Sequence, residues 1–227
     1  VGPDSQIAFS RSTNYGDDWT TMFLPYTVGI HASQDFINDQ VGVIATAAGT
    51  VIKTVDGGNS WEVIYQNTIQ LSSIKMVDED VIIMISNRLK VLKTVDGGEN
   101  WIEVRNLNTD TNFSYRPKLE VTSETNFYIV SDQEFYGTED GGITLNRVPF
   151  NDYRLNDIQF INGTIGYAVG TSSEGAGILK TVDGGITWDE EYNIGAASFL
   201  FNALDIRRGF IYTAGFGSFA SVADLNG

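Results

Sequence analysis

One eight-residue phrase occurs five times in this 227-residue chain, at nearly constant spacing. The copies begin at Ser12, Thr54, Thr94, Thr138 and Thr181, 40 to 44 residues apart. The fullest reads Thr181-Val182-Asp183-Gly184-Gly185-Ile186-Thr187-Trp188. A period of ~40–45 residues holding several short strands is the signature of β-propeller blades. The spacing therefore predicts an all-β chain of four-stranded antiparallel blades, with the repeated turn between the third and fourth strands.

The unit before the last copy shows the pattern best. Alternation over 155–160 predicts a first strand, Asn162-Gly163 a turn, and 165–170 a second strand. A third strand follows at 178–181, then the turn, and a fourth begins at Trp188. Earlier units fit the same scheme, with second strands at 43–47, 81–85 and 127–130 and third strands at 51–53, 91–93 and 134–136. Second strands that are apolar throughout suit a layer packed on both faces.

The turn has a physical reading. A short Asp accepts hydrogen bonds from backbone N–H groups further on, glycine supplies positive φ, and the indole offers a large packing face. On this reading the structural residues are Asn14, Gly16, Trp19, Asp56, Gly58, Trp61, Asp96, Gly98, Trp101, Asp140, Gly142, Asp183, Gly185 and Trp188. Each motif Asp is assigned to the fold rather than to catalysis or metal ligation.

Composition narrows the function. There are 29 acids against 14 bases, a formal charge of −15, so nucleic acid and anionic membranes would be repelled. The charge serves solubility, or attracts a basic or cationic partner or a bound metal. No Cys is present, which removes disulfides and thiolate chemistry, and no run approaches the ~20 apolar residues of a membrane helix. Asp78-Glu79-Asp80 and Asp189-Glu190-Glu191 lack the ligand spacing of a calcium loop. Neither a metal nor a cofactor is expected.

The repeated turns resemble Asp boxes, the bacterial neuraminidase repeat of form Ser/Thr-x-Asp-x-Gly-x-Thr-Trp. Thr181 to Trp188 matches at every position, the first copy departs at Asn14 and Asp18, and the fourth has Leu145 in place of Trp. The phrases Gly166 to Gly170 with Ile178 to Trp188, and Ala48 to Gly58, make the chain similar to the photosystem II stability/assembly factor family and its relatives in non-photosynthetic bacteria. That resemblance implies a propeller that binds partner polypeptides as an assembly scaffold, and relatives that are exported or lie at the cell surface. The photosynthetic members use a basic patch. Here the bases are scattered, apart from Arg207-Arg208.

A single propeller domain over residues 1–227 is expected, of five to seven blades. The chain opens on a third and fourth strand at 7–10 and 19–22 and closes on a degraded sixth turn at Val222-Ala223-Asp224. That makes twenty-one strands, close to five blades if the two ends share one; a segment trimmed from a larger ring is the alternative. The opening Val1-Gly2-Pro3, without Met, reads as a processed or trimmed start.

In propellers the loops from a fourth to the next first strand share a face with the second-to-third turns. The candidate binding face therefore comprises Tyr26, His31, Tyr65, Phe113, Tyr115, Arg116, Tyr153, Arg154 and Tyr192, with the long 106–117 connection as the leading binding loop. His31 is the only histidine, so a Ser-His-Asp arrangement would have to use it, and no Gly-x-Ser-x-Gly phrase supports one. Sialidase chemistry is similarly unsupported, because only Tyr115-Arg116-Pro117 approaches the phrase that family carries before its first box. A glycosidase would need two carboxylates across a cleft, and Asp35, Asp157 and Asp205 are first-strand candidates. The sequence reading is a non-enzymatic scaffold of the periplasm or cell surface, bound to a protein or a larger envelope complex; a glycan-binding or glycan-cleaving propeller is the alternative.

Overall fold

In the computed structural model, which describes residues 6–27, 31–107, 117–195, 199–207 and 209–217, every helix or strand element is a strand. The chain divides into two compact units, Val1–Glu124 and Thr125–Gly227. In the first unit β1 (Gln6–Arg11) pairs with β2 (Thr20–Thr27). A four-stranded sheet follows from β3 (His31–Phe36), β4 (Gly42–Thr46), β5 (Thr50–Thr54) and β6 (Glu62–Gln66), in that order. The next repeats it with β7 (Leu71–Met76), β8 (Ile82–Ser86), β9 (Lys90–Thr94) and β10 (Ile102–Asn106), and β11 (Lys118–Val121) comes last.

The second unit starts with β12 (Phe127–Ser131), β13 (Glu134–Thr138) and β14 (Asn146–Pro149), paired in sequence order. A full sheet of β15 (Arg154–Phe160), β16 (Gly166–Thr171), β17 (Ala176–Thr181) and β18 (Asp189–Asn193) follows. The unit ends with the antiparallel pair β19 (Phe199–Arg207) and β20 (Phe210–Gly217). Twenty strands are thus described, and those given a range from the sequence lie within a few residues of it. The degraded sixth turn, at Val222-Ala223-Asp224, lies outside the described residues.

Burial is graded across each full sheet of the first unit. Every residue of β4 and β8 is buried, whereas β6 and β10 are largely exposed. The gradient follows from sequence: Val43-Ile44-Ala45 and Ile82-Ile83-Met84-Ile85 offer apolar groups to both faces, while the fourth strands interleave acids and bases. Val43, Ala45 and Val51 pack against Leu71 and Ile74 of the next sheet. In the second unit, Tyr128 of β12 stacks on Phe160 of β15 at 3.6 Å between centroids. Full burial of side chains this size contributes about 1.5–3 kcal/mol each.

Polar stitches join consecutive first strands within each unit. The Met76 amide donates to Asp35 Oδ2 at 2.8 Å, and the Leu119 amide to Ser73 Oγ at 3.3 Å. Ser72 Oγ donates to the Pro117 carbonyl at 2.9 Å. In the second unit the Leu204 amide donates to Asp157 Oδ2 at 2.9 Å, the Ile206 amide to Gln159 Oε1 at 2.7 Å, and Asn156 Nδ2 to the Phe201 carbonyl at 2.7 Å. Facing inner strands leave backbone groups that no ladder satisfies, and these side chains satisfy them.

Candidate functional site

The sheets have two chemically different ends. At one end the second, third and fifth Asp boxes fold onto the first-to-second turns of their own sheets: Gly57 N donates to Gln40 O, Gly97 N to Asp80 O and Gly184 N to Thr164 O, at 2.8 to 2.9 Å. Inside the second box, Thr54 Oγ1 donates to Asp56 Oδ1 (2.9 Å) and accepts from the amides of Asp56 (3.3 Å) and Gly58 (2.8 Å). One hydroxyl thereby uses its donor and both its acceptor sites. Asp56 accepts from Ser60 N at 2.9 Å and Ser60 Oγ at 2.6 Å. The third, fourth and fifth boxes repeat this through Asp96 with Asn100, Asp140 with Thr144, and Asp183 with Thr187.

These bonds hold the four carboxyls at about 2. The main cause is the side-chain bond from Ser60, Thr144 or Thr187, and for Asp96 the backbone bond from Asn100. Trp61 and Trp188 donate to the carbonyls of Gly58 and Gly185, both at 3.2 Å. Trp101 instead reaches the Ile64 carbonyl of the preceding sheet at 3.0 Å. The residue just before the box is also a strut. Arg11 donates to the Gly57 carbonyl of the next sheet and to Asn59 Oδ1, and Lys53 donates to the Gly97 (3.3 Å) and Glu79 (2.6 Å) carbonyls.

At the opposite end second-to-third turns meet the residues that follow the fourth strands: Asn67 N donates to Gly49 O at 2.9 Å and Leu107 N to Leu89 O at 3.0 Å. Gly49 and Leu89 occupy equivalent positive-φ positions, +88° and +56°. Leu89 is fully buried, so its left-handed backbone is fixed by packing rather than by the absence of a side chain. Beside it lies a cleft of about 540 Å³ lined by Thr68, Gln70, Asn87, Arg88, Lys90 and Asn106, with Ile69 and Ser86. Asn87 Nδ2 donates to Gln70 Oε1 at 2.6 Å, and Lys90 pairs with Glu103 at 2.8 Å. The exposed Arg88 guanidinium has no protein partner among the described residues. The Ser86 hydroxyl accepts from the amides of Arg88 and Lys90, which makes it a turn cap.

The candidate residues fall as follows. Tyr26 lies in β2, and His31 opens β3 opposite Thr46. Tyr65 packs edge-on against Trp101, with its phenol pushed up by burial. Phe113, Tyr115 and Arg116 lie outside the described residues. Tyr153 is buried; its hydroxyl donates to Glu190 and accepts from Asn193 Nδ2 at 2.9 Å. Burial, and then Glu190, push that phenol up to about 12, the opposite of an activated nucleophile. Arg154 approaches Asp132 at 3.6 Å, and Tyr192 is half exposed on β18.

Asp35 and Asp157 are the stitches described above, and Asp205 pairs with Arg207 at 2.8 Å. Sequence reasoning missed Gln70, Asn87 and Arg88. The available signal was Leu89 at the turn position where the preceding repeat carries Gly49.

No protein-family model matches the chain, and no curated protein does. Solved structures do. YCF48 from Cyanidioschyzon merolae is similar with a TM-score of 0.70 at 16% identity, over 92% of this chain and 72% of that one. A chain of the nidogen/laminin complex gives 0.63 at 11% identity, over 86% and 76%. The GH74 enzyme of Niastella koreensis gives 0.58 at 14% identity, over 78% of this chain and 35% of that one. The fold is a β-propeller of antiparallel four-stranded blades, similar to YCF48.

Proposed function

We propose that this protein is a non-enzymatic binding propeller, exported to the periplasm or cell surface, that holds a polypeptide partner or serves as an accessory subunit of a larger complex. The observation that carries this reading is the loop-end cleft. Its lining offers amides, a threonine and an uncommitted guanidinium, but no carboxylate and no nucleophile beside a base. Such a set can hold a ligand by hydrogen bonds and charge, and it lacks the paired acids that glycoside cleavage requires. The first-strand acids Asp35 and Asp157 are each engaged by a backbone amide.

The test is capture with an affinity-tagged chain from its native source, followed by a binding measurement with the purified partner. A stoichiometric polypeptide is expected, found with the chain in the envelope or surface fraction. Arg88→Ala should weaken it about tenfold, as loss of a central arginine does at protein interfaces. Tyr115→Ala with Arg116→Ala tests the long loop in the same assay. Turnover of a glycan by the purified chain would overturn the reading.

A further inference from the structure

A second cleft, of about 610 Å³, lies at the other end of the first unit, between the second and third Asp boxes. Its apolar surface comes from Val55 and Val63, 63% and 36% exposed, with Ile64 and the half-buried Trp61 beside them. Glu62, Asp80 and Glu99 supply charge around it, and all three are exposed. None of these carboxylates has a side-chain partner among the described residues, whereas Asp96, which also lines the cleft, is occupied by its own box. Lys53 is the one cation in the lining, and its ammonium is committed to the carbonyls of Glu79 and Gly97. It therefore braces the groove without forming an ion pair inside it.

We infer that this inter-box groove is a docking site for a basic segment of a partner polypeptide, one that presents lysine or arginine. Long basic side chains match both parts of the lining: aliphatic stems lie along valine while the charged heads meet carboxylates. The walls are set by boxes whose hydrogen bonds are complete, so little ordering is required on binding. Complementary charge also speeds encounter and selects against acidic partners, in keeping with the −15 of the whole chain. The inference rests on the protein-binding reading but assigns a face of its own, remote in sequence chemistry from the Arg88 cleft.

The test uses the whole chain and a short peptide of alternating lysine and serine with a photo-reactive group at its centre. Binding is expected to weaken with salt, as for exposed charges. The triple variant Glu62→Gln, Asp80→Asn, Glu99→Gln should lose about tenfold or more in affinity. A control that removes the same charge elsewhere, Glu139→Gln, Asp152→Asn, Glu174→Gln, should bind within about twofold of the parent. Crosslinks should map to the segments 60–64 and 96–99, a readout that needs no variant to fold.

Equal weakening in both triples would reduce the effect to diffuse attraction and overturn the groove, as would crosslinks mapping elsewhere or no binding to the parent chain. Capture of the natural partner is scored separately, so the groove can fail while the broader reading stands, and the reverse.

Discussion

The first and fifth Asp boxes share one hydrogen-bond layout and invert its polarity at one pair. In the fifth box, Asp183 accepts from the hydroxyl and amide of Thr187. In the first, position three is Asn14 and position seven is Asp18, so the amide donates to the carboxylate instead, Asn14 Nδ2 to Asp18 Oδ2 at 2.9 Å. Asn14 Oδ1 still accepts from the Asp18 amide at 2.9 Å and from Ser12 Oγ at 2.9 Å. What the turn requires is a matched donor and acceptor, and a carboxylate at position three is only one way to supply the acceptor. The boxes also differ in backing. Gly185 lies against Phe135, with Trp188 packed edge-on to the same ring, whereas Trp19 is 65% exposed.

The largest expected difference uses that backing. A Cβ at Gly185 would sit 2.2 Å from Phe135 in a backbone of φ +88°, while one at Gly16, φ +96°, meets only Trp19 at 3.9 Å. Gly185→Ala should therefore cost about 3 kcal/mol or more, from strain and overpacking together, against roughly 1–2 for Gly16→Ala, from backbone strain alone. Equal losses in denaturant titrations would mean that the packing behind the fifth box contributes nothing.

Polarity comes next. Asn14→Asp places two carboxylates in contact and should lower the melting temperature by several degrees. Adding Asp18→Thr rebuilds the fifth-box arrangement and should restore most of that loss. If the double variant melts no higher than the single one, donor–acceptor matching is not what the position requires.

The smallest effect is that of acid. Carboxyls held at about 2 in the fold stabilise it above their unfolded value of ~4, and that stabilisation is lost as pH falls through the folded value. Amide protection at Thr187 should hold to about pH 4 and decline from there towards pH 2. Loss of protection already at pH ~5 would contradict the hydrogen-bond account of Asp183.

The repeat was legible because its chemistry is local. Thr181, Asp183, Gly185 and Thr187 satisfy one another within seven residues, so sequence spacing reports the turn directly. Strands were legible through the apolar runs of β4, β8 and β12. The stitches were not. Asp35 and Asp157 read as first-strand candidates for a glycosidase carboxylate, and nothing local shows that their oxygens face amides more than 40 residues away.

The struts escaped notice for the same reason, since Arg11 and Lys53 end on backbone carbonyls of another sheet. In sequence Tyr153 reads as part of the candidate binding face. It is buried because Gly177 leaves room for it: a Cβ there would lie 2.3 Å from the Tyr153 hydroxyl. Glycine at one position thus decides whether an aromatic on the loop before β15 can turn inward.

The stitches have a consequence for how freely such a chain can drift in sequence. In each amide-accepting stitch a side chain on one repeat meets only main chain on the next: Asp35 needs the N–H of residue 76, not its methionine, and Gln159 needs the N–H of residue 206. The coupling thus constrains one repeat and leaves its neighbour's composition free at the point of contact. Ser73 and Asp157 hold equivalent register positions with different functional groups, because any acceptor serves. Repeats joined in this way can diverge one at a time without a compensating change next door, and an ancestral module can be copied, specialised and still fit beside its unaltered siblings.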